Sequence, residues 1–207
     1  MNKTCTRQQF LQDVANHEMF IKLDQGVYRH IVFQCPKNSF LYRFEIVTTP
    51  WRLMITGDMG TWVFARLDDM FEFFRTDSGK INQSYWAEKL QNGTHGCSDA
   101  AKVYDGDTYK ARVLESLDNY DLSAAMKRGI RRELQQWDFG DEHWIISHLQ
   151  DFSFNGFQFQ DIWEIDMKTY SFHFVWCCYA IAWAIQKWDA ANSPTHALPM
   201  PPAPEAQ

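Results

Sequence analysis

The hydrophobic pattern changes its period between Tyr28 and Arg66, and this change constrains the fold more than any other feature. Apolar residues there occupy every second position, for example over 40–47 and 51–56, as in a strand with one buried face. Short turns separate the runs, and Gly57–Gly60 is one of them. Connections this short cannot hold a crossover helix, so consecutive strands should pair antiparallel. We therefore predict a four-stranded antiparallel meander near the N-terminus.

Helical spacing flanks the meander on both sides. Phe10, Val14 and Met19 predict an opening amphipathic helix over 6–23, with Thr4 or Thr6 as its cap. The same reasoning predicts later helices over 67–75, 83–90, 108–117, 123–137 and 141–149, a surface loop over 92–107, and a strand or hairpin over 152–165.

The segment from Phe172 to Ile185 is almost continuously apolar. It is shorter than the roughly 20 residues of a membrane span, so we predict a buried core helix over 170–188. The predicted fold class is α+β, with the meander packed against a helical layer that includes this strongly apolar C-terminal helix.

Hydrophobic residues make up 45% of the chain, which suffices for one sizeable core, and aromatic residues alone make up 16%. We predict a single globular domain over 1–189. Residues 190–207 are rich in proline and alanine, and we predict that they form a disordered tail.

The cysteines have neither CxxC spacing nor an even number, which is typical of free thiols in a reducing compartment. They are Cys5, Cys35, Cys97, Cys177 and Cys178. The first nine residues are polar, so we expect no secretory signal and a cytoplasmic location.

Charge is unevenly distributed along the chain. Residues 1–66 carry eight basic and five acidic side chains, whereas residues 67–207 carry twelve basic and twenty-one acidic ones. The acidic helical part disfavours general nucleic-acid binding, which requires neutralisation of phosphates. It favours a protein partner with a basic surface.

Several residues are candidates for catalysis. Asp58 in the Gly57–Gly60 turn could present a carboxylate at a sheet end, with His30, His143 or His173 as the partner base, although aspartate and glycine are also what a hairpin turn requires. His173 could also pair with Glu164 in a buried site.

Asp141, His143 and His148 resemble a metal or acid–base cluster in composition. The two histidines are five residues apart, however, so they do not share one helical face, and we expect Asp141 to cap a helix. We predict neither a metal site nor a cofactor.

Two charged groups are candidates for partner binding. Lys127, Arg128, Arg131 and Arg132 share one helical face and could hold phosphates or an acidic partner, or form a solvated face that pairs with Asp118, Asp121 and Glu133. The second group consists of the acidic residues in and before the helix over 67–75, namely Asp68, Asp69 and Glu72.

The chain lacks the common nucleotide-binding, hydrolase and zinc motifs. Two blocks, TTPWRLMITGDMGTWVFARLDDMFEFFR (48–75) and IDMKTYSFHFVWCCYAIAWAIQKWD (165–189), together resemble a group of bacteriophage and prophage proteins of unassigned function. The resemblance implies a phage-encoded accessory protein that acts in a bacterial cytoplasm.

Two functions remain open. The first is a non-catalytic protein that binds and inhibits a host protein or ribonucleoprotein complex, such as a bacterial immune complex of the CRISPR type, through an acidic surface with aromatic anchors. The second is a small hydrolase that acts on nucleic acid or a nucleotide signal through Asp58 and a histidine. A homodimer is also compatible with the aromatic-rich composition.

Overall fold

A computed structural model describes residues 4–37, 40–76, 78–91 and 97–193. The chain divides into two compact units. Among the described residues, the helical unit consists of Asp99–Phe172 with Thr4, and the sheet unit consists of the others, which lie within 5–98 and 173–193. The predicted single domain over 1–189 spans both units. Of the predicted tail, residues 194–207 lie outside the described residues.

The sheet unit contains the predicted meander, with one strand more than expected. Neighbours along the chain are neighbours in the sheet, and each pair is antiparallel. The five strands are β1 (Glu18–Gln25), β2 (Tyr28–Gln34), β3 (Phe44–Thr49), β4 (Arg52–Gly57) and β5 (Gly60–Ala65).

The additional strand replaces the second half of the predicted opening helix, so that part of the prediction was wrong. Helix α1 covers only Arg7–Asp13, with Thr6 accepting a hydrogen bond from the Gln9 N–H at 3.2 Å. Strand β1 follows because its apolar residues find partners across the sheet, such as Ile21 opposite Ile31. Tertiary pairing therefore overrides a local spacing that fits a helix.

Helix α7 (Phe172–Asn192) lies on the face of the sheet that carries Phe33 and Phe44. The ring of Trp183 lies 5.3 Å from that of Phe33, and Trp176 lies 5.6 Å from Phe44. The predicted core helix is confirmed, although it extends four residues beyond its predicted end. None of the described helices has the length and apolarity that a membrane crossing requires.

Two short helices close one end of the sheet unit. They are α2 (Met70–Phe74) and α3 (Gln83–Ala87). The ring of Phe74 packs between those of Phe64 and Trp86, at 5.1 and 4.8 Å. The edge of β5 is covered at the same place, because Gln91 N–H donates to the Val63 carbonyl at 2.8 Å.

Two sequence blocks, residues 48–75 and the part of 165–189 that begins at His173, meet inside the sheet unit. Arg75, at the end of the first block, donates two hydrogen bonds of 2.9 Å to Asp189, at the end of the second. Phe71 and Trp188 pack edge to face at 5.4 Å, and Trp62 packs on Phe174 at 5.2 Å. These blocks therefore contribute much of the core of the sheet unit.

A two-stranded antiparallel sheet joins the beginning and the end of the helical unit. In it, β6 (Lys102–Tyr104) pairs with β7 (Lys168–Tyr170). Part of the predicted 92–107 loop is therefore a strand. Between the two strands the predicted helices are present as α4 (Gly106–Ser116), α5 (Ala124–Gln135) and α6 (Glu142–Gln150). The predicted strand or hairpin over 152–165 reduces to a bridge between Phe154 and Phe157 and a 3-10 turn at Ile162–Glu164.

The helical unit has its own hydrophobic core, made from one face of each helix and the segment after α6. Its fully buried members include Tyr109 and Val113 of α4, Ile130 and Leu134 of α5, and Ile145 and Leu149 of α6.

Candidate protein-binding surface

The acidity of the chain is concentrated in the helical unit. Residues 99–172 carry fourteen acidic and eight basic side chains, a formal charge of −6, which equals the charge of the whole chain. Residues outside this range therefore balance to zero. The net negative charge of the chain is therefore a property of the helical unit.

Ion pairs within the helical unit occupy half of its basic side chains. Lys102 and Arg112 lie 3.3 and 3.6 Å from Asp166, Arg131 lies 2.7 Å from Asp118, and Lys168 lies 3.3 Å from Asp99. A hydrogen bond from Arg131 holds the pKa of Asp118 below its ordinary value.

Many carboxylates of the helical unit have no basic partner within the described residues. They are exposed and stand on several elements of the unit. Examples are Asp107, Glu115, Asp121, Glu133, Asp151 and Asp161. The free charge on this surface is therefore mainly negative.

The predicted basic cluster on α5 splits into two pairs. Lys127 Nζ donates to the Asp118 carbonyl at 3.2 Å, and Arg131 donates to the Asp118 carboxylate. Arg128 and Arg132 are exposed and have no ion pair within the described residues. One half of the cluster thus holds α5 to the end of α4, as in a solvated paired face.

Exposed tryptophans accompany the acidic surface. Trp144 on α6 is 41% exposed and Trp163 is 61% exposed, although large aromatic side chains are usually buried. Asp141 caps α6 through the Trp144 N–H at 2.9 Å, as predicted for this residue. Solvated tryptophans are frequent anchors of protein interfaces.

A cleft of about 360 Å³ lies beside α5 and α6. Trp137 and Phe152 pack edge to face at 5.6 Å in its wall, and His148 also lines it. Glu133 and Asp151 stand at the same cleft. It therefore combines aromatic surface with two carboxylates that have no ion pair among the described residues.

A second cleft of the helical unit, of about 340 Å³, lies at the start of α4. Its lining includes Asp107 and Asp138, but Lys110 Nζ already donates to the Gln135 and Trp137 carbonyls there, each at 2.9 Å. A cation of the chain itself therefore occupies part of this cleft.

The acidic candidates near α2 differ in what they contact. Asp69 accepts hydrogen bonds from Arg29 at 2.8 and 2.9 Å and from the Phe71 N–H at 2.9 Å, so it caps α2 and pairs with a buried cation. Glu72 pairs with Arg75. Asp68 is exposed and has no ion pair within the described residues.

The structure does not bring Asp58 and His30 together. The Asp58 carboxylate accepts a hydrogen bond from the Tyr42 N–H at 2.9 Å and so supports the hairpin end. His30 Nε2 lies 2.7 Å from Glu45 on the exposed face of the sheet. Across the sheet, His30 pairs with Val47, and Val47 pairs with Met54. Asp58 follows Gly57, and the three residue steps from Met54 to Gly57 alone span about 10 Å of strand.

The remaining histidine candidates are exposed. His143 lies in the first turn of α6, in the helical unit, and His173 in the first turn of α7, in the sheet unit. Glu164 is also exposed, so the predicted buried pair with His173 was wrong. Because both side chains are exposed, they lack the desolvation by which a buried pair would acquire shifted pKa values.

His148 is held by its own helix. Its Nδ1 lies 2.8 Å from the Trp144 carbonyl, so Nδ1 carries the hydrogen, and its ring stacks on that of Trp144 at 3.8 Å. Within residues 97–193 and the other described ranges, no three histidine, cysteine or acidic side chains are grouped to hold a metal ion.

One cavity of the sheet unit is not indicated by the sequence. A cavity of about 450 Å³ lies where β1 begins and β2 ends, and its lining includes His17, Glu18, Cys35 and Lys37. His17 Nε2 hydrogen-bonds the Tyr42 carbonyl at 3.0 Å, and burial lowers the pKa of its imidazole. No signal could have found this cavity, because the sequence places His17 in a helix that the structure ends at Asp13.

Comparison with protein-family models, with curated proteins and with solved structures finds no match to this chain. The resemblance to phage proteins therefore stays a prediction.

Proposed function

We propose that this chain is a binding protein that presents its acidic helical unit to a basic surface of a partner protein. The observation that carries the proposal is the excess of carboxylates on residues 99–172, where ion pairs occupy half of the bases and several exposed acids have no ion pair among the described residues. Trp144 and Trp163 add exposed aromatic area to the same unit.

The proposed partner is a host protein or ribonucleoprotein complex in the bacterial cytoplasm, such as an immune complex of the CRISPR type. Such a complex needs a basic channel for its nucleic acid, and an acidic protein surface can occupy that channel in place of phosphates. The resemblance of residues 48–75 and 165–189 to phage proteins supports a phage-encoded inhibitor.

A plaque assay tests the inhibitory role. In a bacterium whose CRISPR system targets a phage, expression of the chain is expected to restore plaque formation. The variant Asp107→Asn/Glu115→Gln/Asp121→Asn should restore at least about tenfold fewer plaques, because three interfacial ion pairs of about 0.5 kcal/mol each amount to roughly one tenfold step in affinity.

The matched control is Glu18→Gln/Asp68→Asn/Glu88→Gln, which removes three exposed acids from the sheet unit. It should restore plaques as well as the unmodified chain does. The reverse result would place the binding surface on the sheet unit, and no restoration by any chain would reject inhibition of that immune system.

The alternative of a small hydrolase requires Asp58 and a histidine to converge on one substrate. The described residues give Asp58 and His30 separate structural partners. We therefore place binding ahead of catalysis.

A further inference from the structure

The cleft beside α5 and α6 has a lining that selects for positive charge. Its aromatic walls are Trp137, Phe152 and Phe154, and its carboxylates are Glu133 and Asp151. Among the residues that the structure describes, no lysine or arginine lines it. A cation can therefore contact both aromatic surface and the two carboxylates.

The walls are held in place by packing inside the helical unit. Phe152 is only 5% exposed and packs against Trp137 and Phe159 at 5.6 and 5.5 Å. Phe154 lies so close to Gly129 of α5 that a Cβ there would meet its ring at 2.7 Å. The aromatic surface is thus formed before any ligand arrives, which lowers the entropy cost of binding.

His148 adds a hydrogen-bond acceptor to the lining of the cleft. His148 donates its Nδ1 hydrogen to the Trp144 carbonyl, so the neutral ring keeps Nε2 as an acceptor. Acceptors from Glu133, Asp151 and His148 therefore line the same cleft.

We propose that this cleft binds an arginine side chain of the partner protein. A guanidinium is flat and stacks on indole, carries only donors, and can hold two carboxylates at once. A lysine ammonium has no flat face and is more strongly hydrated, so it fits the same walls less well. This inference rests on the proposed function and names the group that the acidic unit recognises.

The test uses the full chain and the blocked peptide acetyl-Gly-Arg-Gly-amide as the probe, at pH 8, where imidazoles are uncharged. Backbone and indole amide shifts in ¹H–¹⁵N spectra are followed during titration. We expect the shifts to concentrate on residues 133–154. The same peptide with citrulline, a neutral isostere of arginine, should cause shifts at least about tenfold smaller.

The variant Glu133→Gln/Asp151→Asn removes both carboxylates without altering side-chain shape. Both residues are exposed and unpaired within the described part of the chain, so the fold should persist, and near-ultraviolet circular dichroism checks this. We expect Kd for the arginine peptide to rise about tenfold. The control variant Glu18→Gln/Glu88→Gln changes two exposed acids of the sheet unit by the same net charge and should alter Kd less than twofold.

Equal weakening by the two variants, equal shifts from the citrulline or lysine peptide, or shifts outside the cleft would each overturn the arginine site. None of these results bears on plaque restoration, which tests the acidic surface separately. Absence of plaque restoration by the unmodified chain, together with an intact peptide response, would instead reject inhibition of that immune system and keep the site.

Discussion

Arg29 places a cation in the core of the sheet unit, where it is only 5% exposed. Its guanidinium forms a two-pronged pair with Asp69, lies 3.9 Å from Asp24, and stacks on Phe71 and Trp188 at 4.4 and 4.8 Å. A buried cation is tolerated only when carboxylates compensate it. Asp69 therefore has a structural role in addition to its predicted place among the binding residues.

The substitution Asp69→Asn should lower the free energy of unfolding by about 2 kcal/mol, because it leaves Arg29 with weaker compensation while asparagine still caps α2. Urea unfolding at pH 7 measures the loss. The neighbouring change Asp68→Asn should stay within about 0.5 kcal/mol, since Asp68 is exposed. Equal losses in the two variants would contradict this role for Asp69.

The same pair predicts a dependence on pH. Burial acts to raise the pKa of Asp69, but hydrogen bonds from Arg29 and the Phe71 N–H outweigh it, so the folded pKa lies below its ordinary value. Stability from the ionised pair is fully present above the unfolded pKa, near 3.9, and is lost as the pH falls through the folded pKa. The difference between wild type and Asp69→Asn should therefore narrow below about pH 4.

Thiol reactivity gives a second prediction for individual residues. Cys5, Cys177 and Cys178 are buried, and burial raises the pKa of each, to about 12 for Cys5, so almost no thiolate is present at pH 8. Cys35 is half-buried beside the cavity at His17.

In a Cys97→Ser background, an aromatic disulfide reagent should therefore label one thiol of the native protein rapidly and all four after unfolding. Adding Cys35→Ser should abolish the rapid phase. Rapid labelling that survives Cys35→Ser would show that a buried cysteine is accessible.

At the scale of elements, α7 organises the sheet unit. Ten of its 21 residues are buried, and they lie on more than one side of the helix. The helix is therefore surrounded by other residues and does not pack through a single face. That enclosure explains why its sequence is apolar without a strong polar face.

The substitution Ile181→Ala should therefore lower the free energy of unfolding by about 3 kcal/mol, since the side chain is fully buried and leaves a cavity. Lys187→Ala on the exposed side of the same helix should change it by less than about 0.5 kcal/mol. Thermal and urea unfolding measure both. A small loss for Ile181→Ala would mean that the helix repacks around the missing side chain.

Strand β1 shows why element type was not fully predictable. Its apolar residues at Met19, Phe20, Ile21 and Leu23 lie next to α1 in sequence and do not alternate cleanly, which fits a helix as well as a strand. A bulge between Ile21 and Leu23 breaks the period of two. Pairing with β2 decided the outcome, and no local signal carries that information.

At the scale of the whole molecule, the helical unit is an insertion into the sequence of the sheet unit. Its ends are joined by β6 and β7, and Ser171 N–H donates to the Ala101 carbonyl at 2.8 Å. The chain thus enters and leaves the helical unit at neighbouring points, which is the arrangement that tolerates domain insertion.

Replacement of residues 102–170 by a short glycine–serine linker should leave a folded sheet unit, because the Phe33, Phe44 and Trp176 core lies entirely within it. Cooperative urea unfolding and dispersed amide spectra would show this, with the full chain as reference. The shortened chain should also fail to restore plaques. A chain that is unfolded at 25 °C would show that the sheet unit depends on the insertion.

The sequence by itself determined the antiparallel meander, the apolar core helix and the acidic character of the helical part, because these depend on local period, turn length and composition. It also identified Asp141 as a cap and Asp118 as a partner of the basic α5 face, since both act over a few residues or one helix contact. Only the tertiary structure decided that β1 is a strand, that Arg29 and Asp69 pair across 40 residues, and that aromatic and acidic side chains around α5 and α6 form one cleft. Those features depend on contacts between segments that are distant in sequence. The hydrophobic period of a segment does not indicate which distant segment it contacts.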